Sequence, residues 1–208
     1  MNIVRLVAAL AACLAAGSAS AAVQPDSYSM VNGNTGAYNY WDDTYSGAGC
    51  LTCDNSSLSG GRGDLTDGVI ATANWFVTET SGHGPYVGWT LDPTIVFHWN
   101  APVTVNSVTL YLDDSDGAGG VSAPSAVVIN GTSFSVPEPA GSAPFAFTAS
   151  GLSLTGNDVT VELVRKNTWV FLSEAQFGVA AVPEPGTYAL MLAGLGAIGM
   201  VARRRKAR

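Results

Sequence analysis

Cys50-Leu51-Thr52-Cys53 places two thiols three residues apart, a spacing that serves a redox dithiol, half of a zinc site or a local disulfide. Zinc needs a second ligand pair, and His83 and His98 stand alone in strand-like surroundings. A redox dithiol needs a helix beginning at its first cysteine, and the loop around Cys50 offers none. The plain reading is a Cys50–Cys53 disulfide that closes a loop in an oxidising compartment. Asp113-Asp114-Ser115-Asp116-Gly117 suggests a calcium loop, but Leu112 occupies the first ligand place of a D-x-D-x-D-G frame and no Glu closes it. That leaves an acidic, flexible loop able to hold an ion weakly. Nucleophilic catalysis finds no support, because G-x-S-x-G is missing and neither histidine stands in a base context. No pair of acids can be singled out for glycoside hydrolysis, so the body is read as non-catalytic. Arg62-Gly63-Asp64 spells an adhesion tripeptide, which in a Gly-rich loop is a chance match.

The two ends of the chain carry more specific patterns. At the C-terminus, Pro183-Glu184-Pro185-Gly186 precedes an uncharged apolar run from Thr187 to Ala202, and Arg203, Arg204, Arg205, Lys206 and Arg208 follow it. The prolines remove backbone donors and hold the segment extended, a form that a processing enzyme can grip. At about 1.5 Å per residue the apolar run reaches roughly 24 Å, a marginal single span against a ~30 Å hydrocarbon core. The basic cluster stays on the cytoplasmic side and orients the body outward. This order of elements resembles the PEP-CTERM sorting signal of Gram-negative bacteria that make extracellular polysaccharide. The resemblance implies recognition by an exosortase, a membrane-embedded cysteine transpeptidase-like enzyme that cuts near the motif and releases or transfers its substrate. Pro137-Glu138-Pro139 repeats the tripeptide mid-chain without the apolar and basic parts, and reads as a loop.

The N-terminus has Arg5, an apolar core from Leu6 to Ala16 and a small-residue site at Ala19-Ser20-Ala21, the layout of a secretory signal peptide over residues 1–22. Leu10-Ala11-Ala12-Cys13 also fits a lipoprotein box, in which Cys13 would carry the lipid. Residues 23–181 then form one extracytoplasmic domain, and 182–208 the sorting and anchor segment. The quoted net charge of −7 hides the body's own balance. Away from the ends, three cations (Arg62, Arg165, Lys166) face fifteen carboxylates, a net −12. Such a surface repels nucleic acid and attracts divalent cations.

The body is rich in Gly, Ser, Thr and Val, with short alternating apolar runs between turn residues, which predicts an all-β sandwich. The expected strands are Thr94–Trp99, Val103–Leu112, Ala126–Ile129, Thr132–Val136, Phe145–Thr148, Val159–Val164, Trp169–Leu172 and Ala175–Val179. Val159, Val161 and Leu163 share one face, and Asn130-Gly131 predicts a tight mirror-image hairpin turn. Residues 23–63 are less regular. There Tyr38, Tyr40, Trp41 and Tyr45 have two readings, a ligand platform or a cap on the open end of the sandwich.

From Leu65-Thr66-Asp67-Gly68 through Thr72 and Trp75 to Trp169–Ala175, the order of motifs resembles the galactose-binding-like (discoidin, coagulation factor C-type) jelly-roll. That resemblance implies a structural calcium ion held by Asp67, Thr72 and Glu174 with backbone carbonyls. Val69 departs from it, standing where the fold often has Asn. The other reading makes Asp67 a turn cap and Glu174 a solvated strand residue. Together the patterns describe a protein handed by the secretion machinery to the membrane as an anchored precursor, then to the cell surface or exopolysaccharide matrix of a Gram-negative bacterium. The body would be a matrix or surface module, carbohydrate-binding in the leading version. A glycan-acting hydrolase and a purely structural surface protein are the alternatives.

Overall fold

The computed structural model describes residues 20–180 together with 194–195, 198–199 and 203, and a compact unit spans Ala21–Val179. Its strands are β1 (Ser20–Val23), β2 (Ser27–Val31), β3 (Ser57–Gly61), β4 (Val87–Trp89), β5 (Thr94–Leu112), β6 (Ala126–Ile129), β7 (Thr132–Ser135), β8 (Phe145–Val164) and β9 (Val170–Ala180). One short helix, α1 (Trp75–Thr78), follows the loop after β3. The strands run in the order β1-β9-β5-β8-β6-β7, with β2 added beside β5, β3 beside β2 and β4 beside β9.

Three pairs of expected strands are each one long strand. β9 joins Trp169–Leu172, from Val170 on, to Ala175–Val179. β5 joins Thr94–Trp99 to Val103–Leu112, and β8 joins Phe145–Thr148 to Val159–Val164. The two run antiparallel along their whole length, with register breaks between His98 and Val103 and between Val105 and Ser107. At the second break Val105 and Ser107 of β5 oppose Val179 and Gly178 of β9, so Asn106 is the extra residue of a bulge. Its effect is visible in burial: Ile95, Phe97, Trp99 and Val105 point inward on odd numbers, Val108, Leu110 and Leu112 on even ones. A period of two admits that change only where a residue is inserted.

The first half of β5 lies between β2 and β8, and its second half between β9 and β8. Bending this ribbon brings its halves face to face. Phe97 and Trp99 pack on Phe177 of β9 with ring centroids 4.8 and 5.0 Å apart. The result is a β-sandwich with one apolar core, into which Val159, Val161 and Leu163 project as their alternation predicts. Asn130 and Gly131 both have positive φ, 45° and 80°, as the mirror-image hairpin turn requires.

The less regular segment before Gly63 is fixed by polar side chains. Asn32 is fully buried and uses both ends of its amide: Oδ1 accepts from the backbone of Gly33 and Asp42, each at 2.9 Å, and Nδ2 donates to the carbonyls of Cys50 and Leu51 at 3.2 and 3.0 Å. Cys50 and Cys53 form the expected disulfide. Tyr45 donates its hydroxyl to the carbonyl of Tyr28 and accepts from the backbone of Gly61 at 2.9 Å, locking the loop across β2 and β3. Tyr40 and Tyr45 are buried, which favours the capping reading for those two rings.

Residues 1–19 and 181–193, which include most of the signal segment and the Pro183–Gly186 motif, lie outside the described residues, as do Arg204, Arg205, Lys206 and Arg208. In the tail, Gly194, Leu195, Ile198, Gly199 and Arg203 are helical. Among the described residues no helix is long and apolar enough to cross a membrane.

Replacing Asn32 by Leu keeps the branching at Cγ with bulkier ends, and takes the partner from the backbone N–H groups of Gly33 and Asp42 and the carbonyl of Leu51, while Ser56 still donates to the carbonyl of Cys50. At about 1–3 kcal/mol for an unsatisfied buried group, partly relieved by relaxation, the expected loss is roughly 3 kcal/mol. Urea denaturation of the full chain measures it, and Thr109→Ala on the exposed face should stay within about 0.5 kcal/mol.

Candidate functional site

Six carboxylates, Asp42, Asp64, Glu79, Asp113, Asp114 and Glu174, are buried in this small body. None takes part in any of the ion pairs among the described residues, which link Arg62 to Asp26, Arg165 to Asp92, Lys166 to Glu138, His83 to Asp43 and His98 to Asp158. The histidines are therefore paired with acids rather than alone, and His83 sits in a loop. The buried acids are held by neutral donors instead.

Asp42 and Asp64 form the deepest group. Tyr28 donates its hydroxyl to Oδ2 of Asp42, while Oδ1 accepts from the backbone of Asp64 at 3.1 Å. Thr44 donates to Oδ1 of Asp64, whose Oδ2 is buried with no hydrogen-bond partner. Gly63 permits this approach, since a Cβ there would stand 2.1 Å from Oδ1 of Asp42. Burial pushes the Asp42 carboxyl up to about 6. It pushes Asp64 up to about 8, with the Asp42 charge adding to the effect of burial. Burial and the same Asp42 charge hold the Tyr28 hydroxyl well above its usual range, so the proton of that hydrogen bond stays on tyrosine.

Beside this group, the Asp67-Gly68 turn meets β9. Gly68 donates its backbone N–H to Oε2 of Glu174 at 3.2 Å, and Ala175 donates to the carbonyl of Leu65 at 2.9 Å. Glu174 is only 5% exposed and is pushed up to about 7 by burial, with the Asp67 charge contributing. It is not a solvated strand residue. Asp67 is exposed and its Oδ1 accepts from the backbone of Val69 at 2.8 Å, a turn cap. Thr72 is exposed and hydrogen-bonds to neither acid among the described residues. Of the residues that the resemblance assigns to calcium, Asp67 and Glu174 thus come together and suit a divalent cation by charge; Thr72 is not drawn in.

The Asp113–Gly117 stretch differs from expectation. Asp113 and Asp114 have no exposure and Ser115 almost none, so the stretch is not an acidic loop free in solvent. Asp113 accepts from Asn74 at 3.0 Å and Ser115 at 2.8 Å through Oδ1, and from the backbone of Trp75 at 2.6 Å through Oδ2. It caps α1 across the fold, satisfying a helix-start N–H that no neighbouring side chain reaches. Glu79 does similar work after α1, accepting from the backbone of Tyr86 at 3.2 Å and from Thr78 at 3.0 Å, and burial raises its carboxyl to about 7.

A second apolar cluster lies by α1. Tyr40 is at its centre, with ring centroids 4.8 Å from Phe171, 5.1 Å from Trp169, 5.9 Å from Trp75 and 6.2 Å from Tyr38. Tyr38, Trp75 and Trp169 are half-buried and Phe76, 5.7 Å from Trp75, is exposed. Tyr38 and Tyr40 are residues the sequence singles out. Trp75, Phe76 and Trp169 join them through tertiary contact alone.

Acids whose folded pKa exceeds the unfolded value bind protons on folding. Their stabilising contribution is complete below about pH 4 and is lost as pH rises through the folded pKa values, about 6 for Asp42 and about 8 for Asp64. In EDTA the full chain should therefore melt at a lower temperature at about pH 8.5 than at about pH 5.5. Asp64→Asn should remove one proton from that dependence, about 1.4 kcal/mol per pH unit between roughly pH 4.5 and 7.5. Thermal scans against pH check it, and an unchanged slope in the variant contradicts it.

Residues 181–206 match the PEP-CTERM protein-sorting motif. No curated protein matches the chain in sequence. Among solved structures, SpGH29 is similar at 12% identity, with a TM-score of 0.36 over 57% of this chain and 24% of its own. A fucolectin from Morone saxatilis (striped bass) serum is similar at 16% identity, with a TM-score of 0.40 over 58% of this chain and 41% of its own. The chain thus spans less than half the length of either. The family 32 carbohydrate-binding module of C. perfringens NanJ, solved with galactose, is similar at 10% identity, with a TM-score of 0.35 over 55% of this chain and 82% of its own. The chain carries, at its C-terminal end, a PEP-CTERM sorting motif.

Proposed function

We propose that this is an exported envelope or matrix protein, sorted through its C-terminal motif by an exosortase, whose body is a non-catalytic glycan-binding β-sandwich. The sorting motif at residues 181–206 carries the reading. The arginine-rich end that follows the apolar run supports an outward-facing body, and the signal-like N-terminus supports export. The anchored precursor passes from the membrane to the cell surface or exopolysaccharide of a Gram-negative bacterium.

For the body, the aromatic cluster by α1 supports a sugar platform. Exposed Phe76 with half-buried Trp75, Trp169 and Tyr38 offers apolar ring surface. Asn39, Asp43 and His83, joined by hydrogen bonds of 3.5 Å and 2.5 Å through Asp43, supply polar groups on the adjoining loop. Calcium at Asp67 and Glu174 would stiffen the Asp67-Gly68 turn against β9 and would also neutralise a carboxylate that burial disfavours. The buried acids favour a binding module over a hydrolase, because they are closed in by backbone and hydroxyl donors. A glycosidase acid pair must instead flank an open cleft, and the cleft beside Glu174 carries a single carboxylate.

Two measurements test the reading. Replacing Arg203, Arg204, Arg205, Lys206 and Arg208 by Ser in the native host should leave an unprocessed, membrane-bound form, where the wild type yields a shorter mature protein. Surface material bearing the intact C-terminus in the wild type would refute the sorting half. Pull-down on the host's extracellular polysaccharide should retain the wild type and lose roughly tenfold in affinity with Phe76→Ala, about 1.4 kcal/mol. Wild type that fails to bind with or without calcium counts against the glycan half.

A further inference from the structure

Two loops converge on one anionic spot, apart from Asp67 and Glu174. Asp114 and Asp116 come from the loop after β5, and Glu138 from the Pro137-Glu138-Pro139 loop after β7. One carboxylate oxygen from each lies within 4.8 Å of those of the other two. Calcium takes its oxygens at 2.3–2.6 Å, so two ligands on opposite sides of one ion stand up to about 5 Å apart. Oxygens within 4.8 Å of one another can therefore share one ion of calcium's size.

A cluster of exposed acids alone would mean little. Asp114, however, is completely buried. Its Oδ1 accepts from the backbone of Asp116 at 3.2 Å and of Ala123 at 3.3 Å, while Oδ2 is sealed from solvent and has no hydrogen-bond partner. A carboxylate oxygen left unpartnered in the interior is costly, and a metal ion is one of the few groups that can satisfy it. The surroundings already attract positive charge. Lys166, from the turn before β9, donates to Oε2 of Glu138 at 2.6 Å. Lys166 makes no hydrogen bond to Asp114 among the described residues and its side chain is 48% exposed, so it is free to swing aside. Three carboxylates and one ammonium leave a charge of −2, which one calcium ion neutralises.

We propose that Asp114, Asp116 and Glu138 bind a calcium ion that clamps the Pro137-Glu138-Pro139 loop onto the loop after β5. The mid-chain copy of the Pro-Glu-Pro tripeptide then has a use unrelated to sorting: its prolines hold Glu138 in an extended loop, presenting the carboxylate to the ion. The clamp also sets one wall of an open cleft of about 430 Å³ between Pro137, Pro139, Phe145 and Phe147.

Calcium titration of the detergent-solubilised full chain by isothermal calorimetry tests this. The paired variant Asp116→Asn with Glu138→Gln changes only exposed side chains and should keep its fold, checked by its melting temperature in EDTA. It should bind one calcium fewer than the wild type. Asp67→Asn with Glu174→Gln should leave this ion in place, which separates the clamp from the ion suggested beside β9. Lys166→Gln removes a competing cation and should tighten binding by up to about fivefold. Equal stoichiometry in the wild type and the Asp116/Glu138 variant would overturn the proposal. A wild type that takes up no calcium at millimolar concentration would do the same.

Discussion

The structure depends on keeping carboxylates inside a body that has almost no cations to pair with them. Arg62, Arg165 and Lys166 are the body's whole stock, and each is spent on a surface acid. Asp42, Asp64, Glu79, Asp113, Asp114 and Glu174 must then be satisfied by backbone N–H groups, hydroxyls and one amide. Desolvation favours the neutral acid in such places, which is why Asp42, Asp64, Glu79 and Glu174 are shifted toward or beyond neutrality. Each buried acid also ties together segments distant in sequence. Asp113 holds the start of α1, Glu174 holds the Asp67-Gly68 turn, and Asp42 holds Tyr28 and Asp64. Loops with little apolar content are thereby fixed without a core of their own.

The apolar side of the fold follows a different economy. β5 and β8 are long enough to serve both faces of the sandwich, and the bulge at Asn106 lets the inward face change parity as the ribbon bends. Phe97, Trp99 and Phe177 then meet across the interior, and the apolar core closes around them. The polar scaffold before Gly63 is laid on one side of this core by Tyr28 and Tyr45, whose rings, 5.1 Å apart, are buried; the Tyr45 hydroxyl joins the backbone of β2 and β3, and the Tyr28 hydroxyl accepts from that of Leu65.

An anionic shell with unpaired interior oxygens suits a setting where calcium is plentiful, and export to the cell exterior offers one. The sorting motif and the acid-rich body are consistent in this sense. In the proposed reading the first directs the chain outward, and the second takes up there a cation that the cytosol keeps scarce. The glycan-binding reading draws on a third feature, the half-covered rings around Tyr40.

Local order in the chain was enough to determine the sorting segment, the Cys50–Cys53 closure, the Asn130-Gly131 turn and the inward face of Val159, Val161 and Leu163. Each depends on residues within a few positions of one another, where spacing translates directly into geometry. The β-sandwich class was legible for the same reason, although β5, β8 and β9 read as pairs of shorter strands, because Asn100–Pro102 and Gly151–Asn157 look like turns and Ser173-Glu174 interrupts the apolar run. Strands β1 to β4 were missed: Ser20–Val23 overlaps the signal-like segment, and Ser27–Val31, Ser57–Gly61 and Val87–Trp89 are short, two of them containing glycine. Which acids are buried was decided only by the tertiary structure. Asp113 and Asp114 share an outwardly solvent-like sequence, and beside their neighbours Ser115 and Asp116 their donors include Asn74 and Trp75 at the start of α1 and Ala123 further along the loop. Gly63 and Gly84, each without room for a side chain beside a carboxylate, were the sole local trace of that burial. Desolvation is a property of everything packed around a group, and one chain segment does not contain that information.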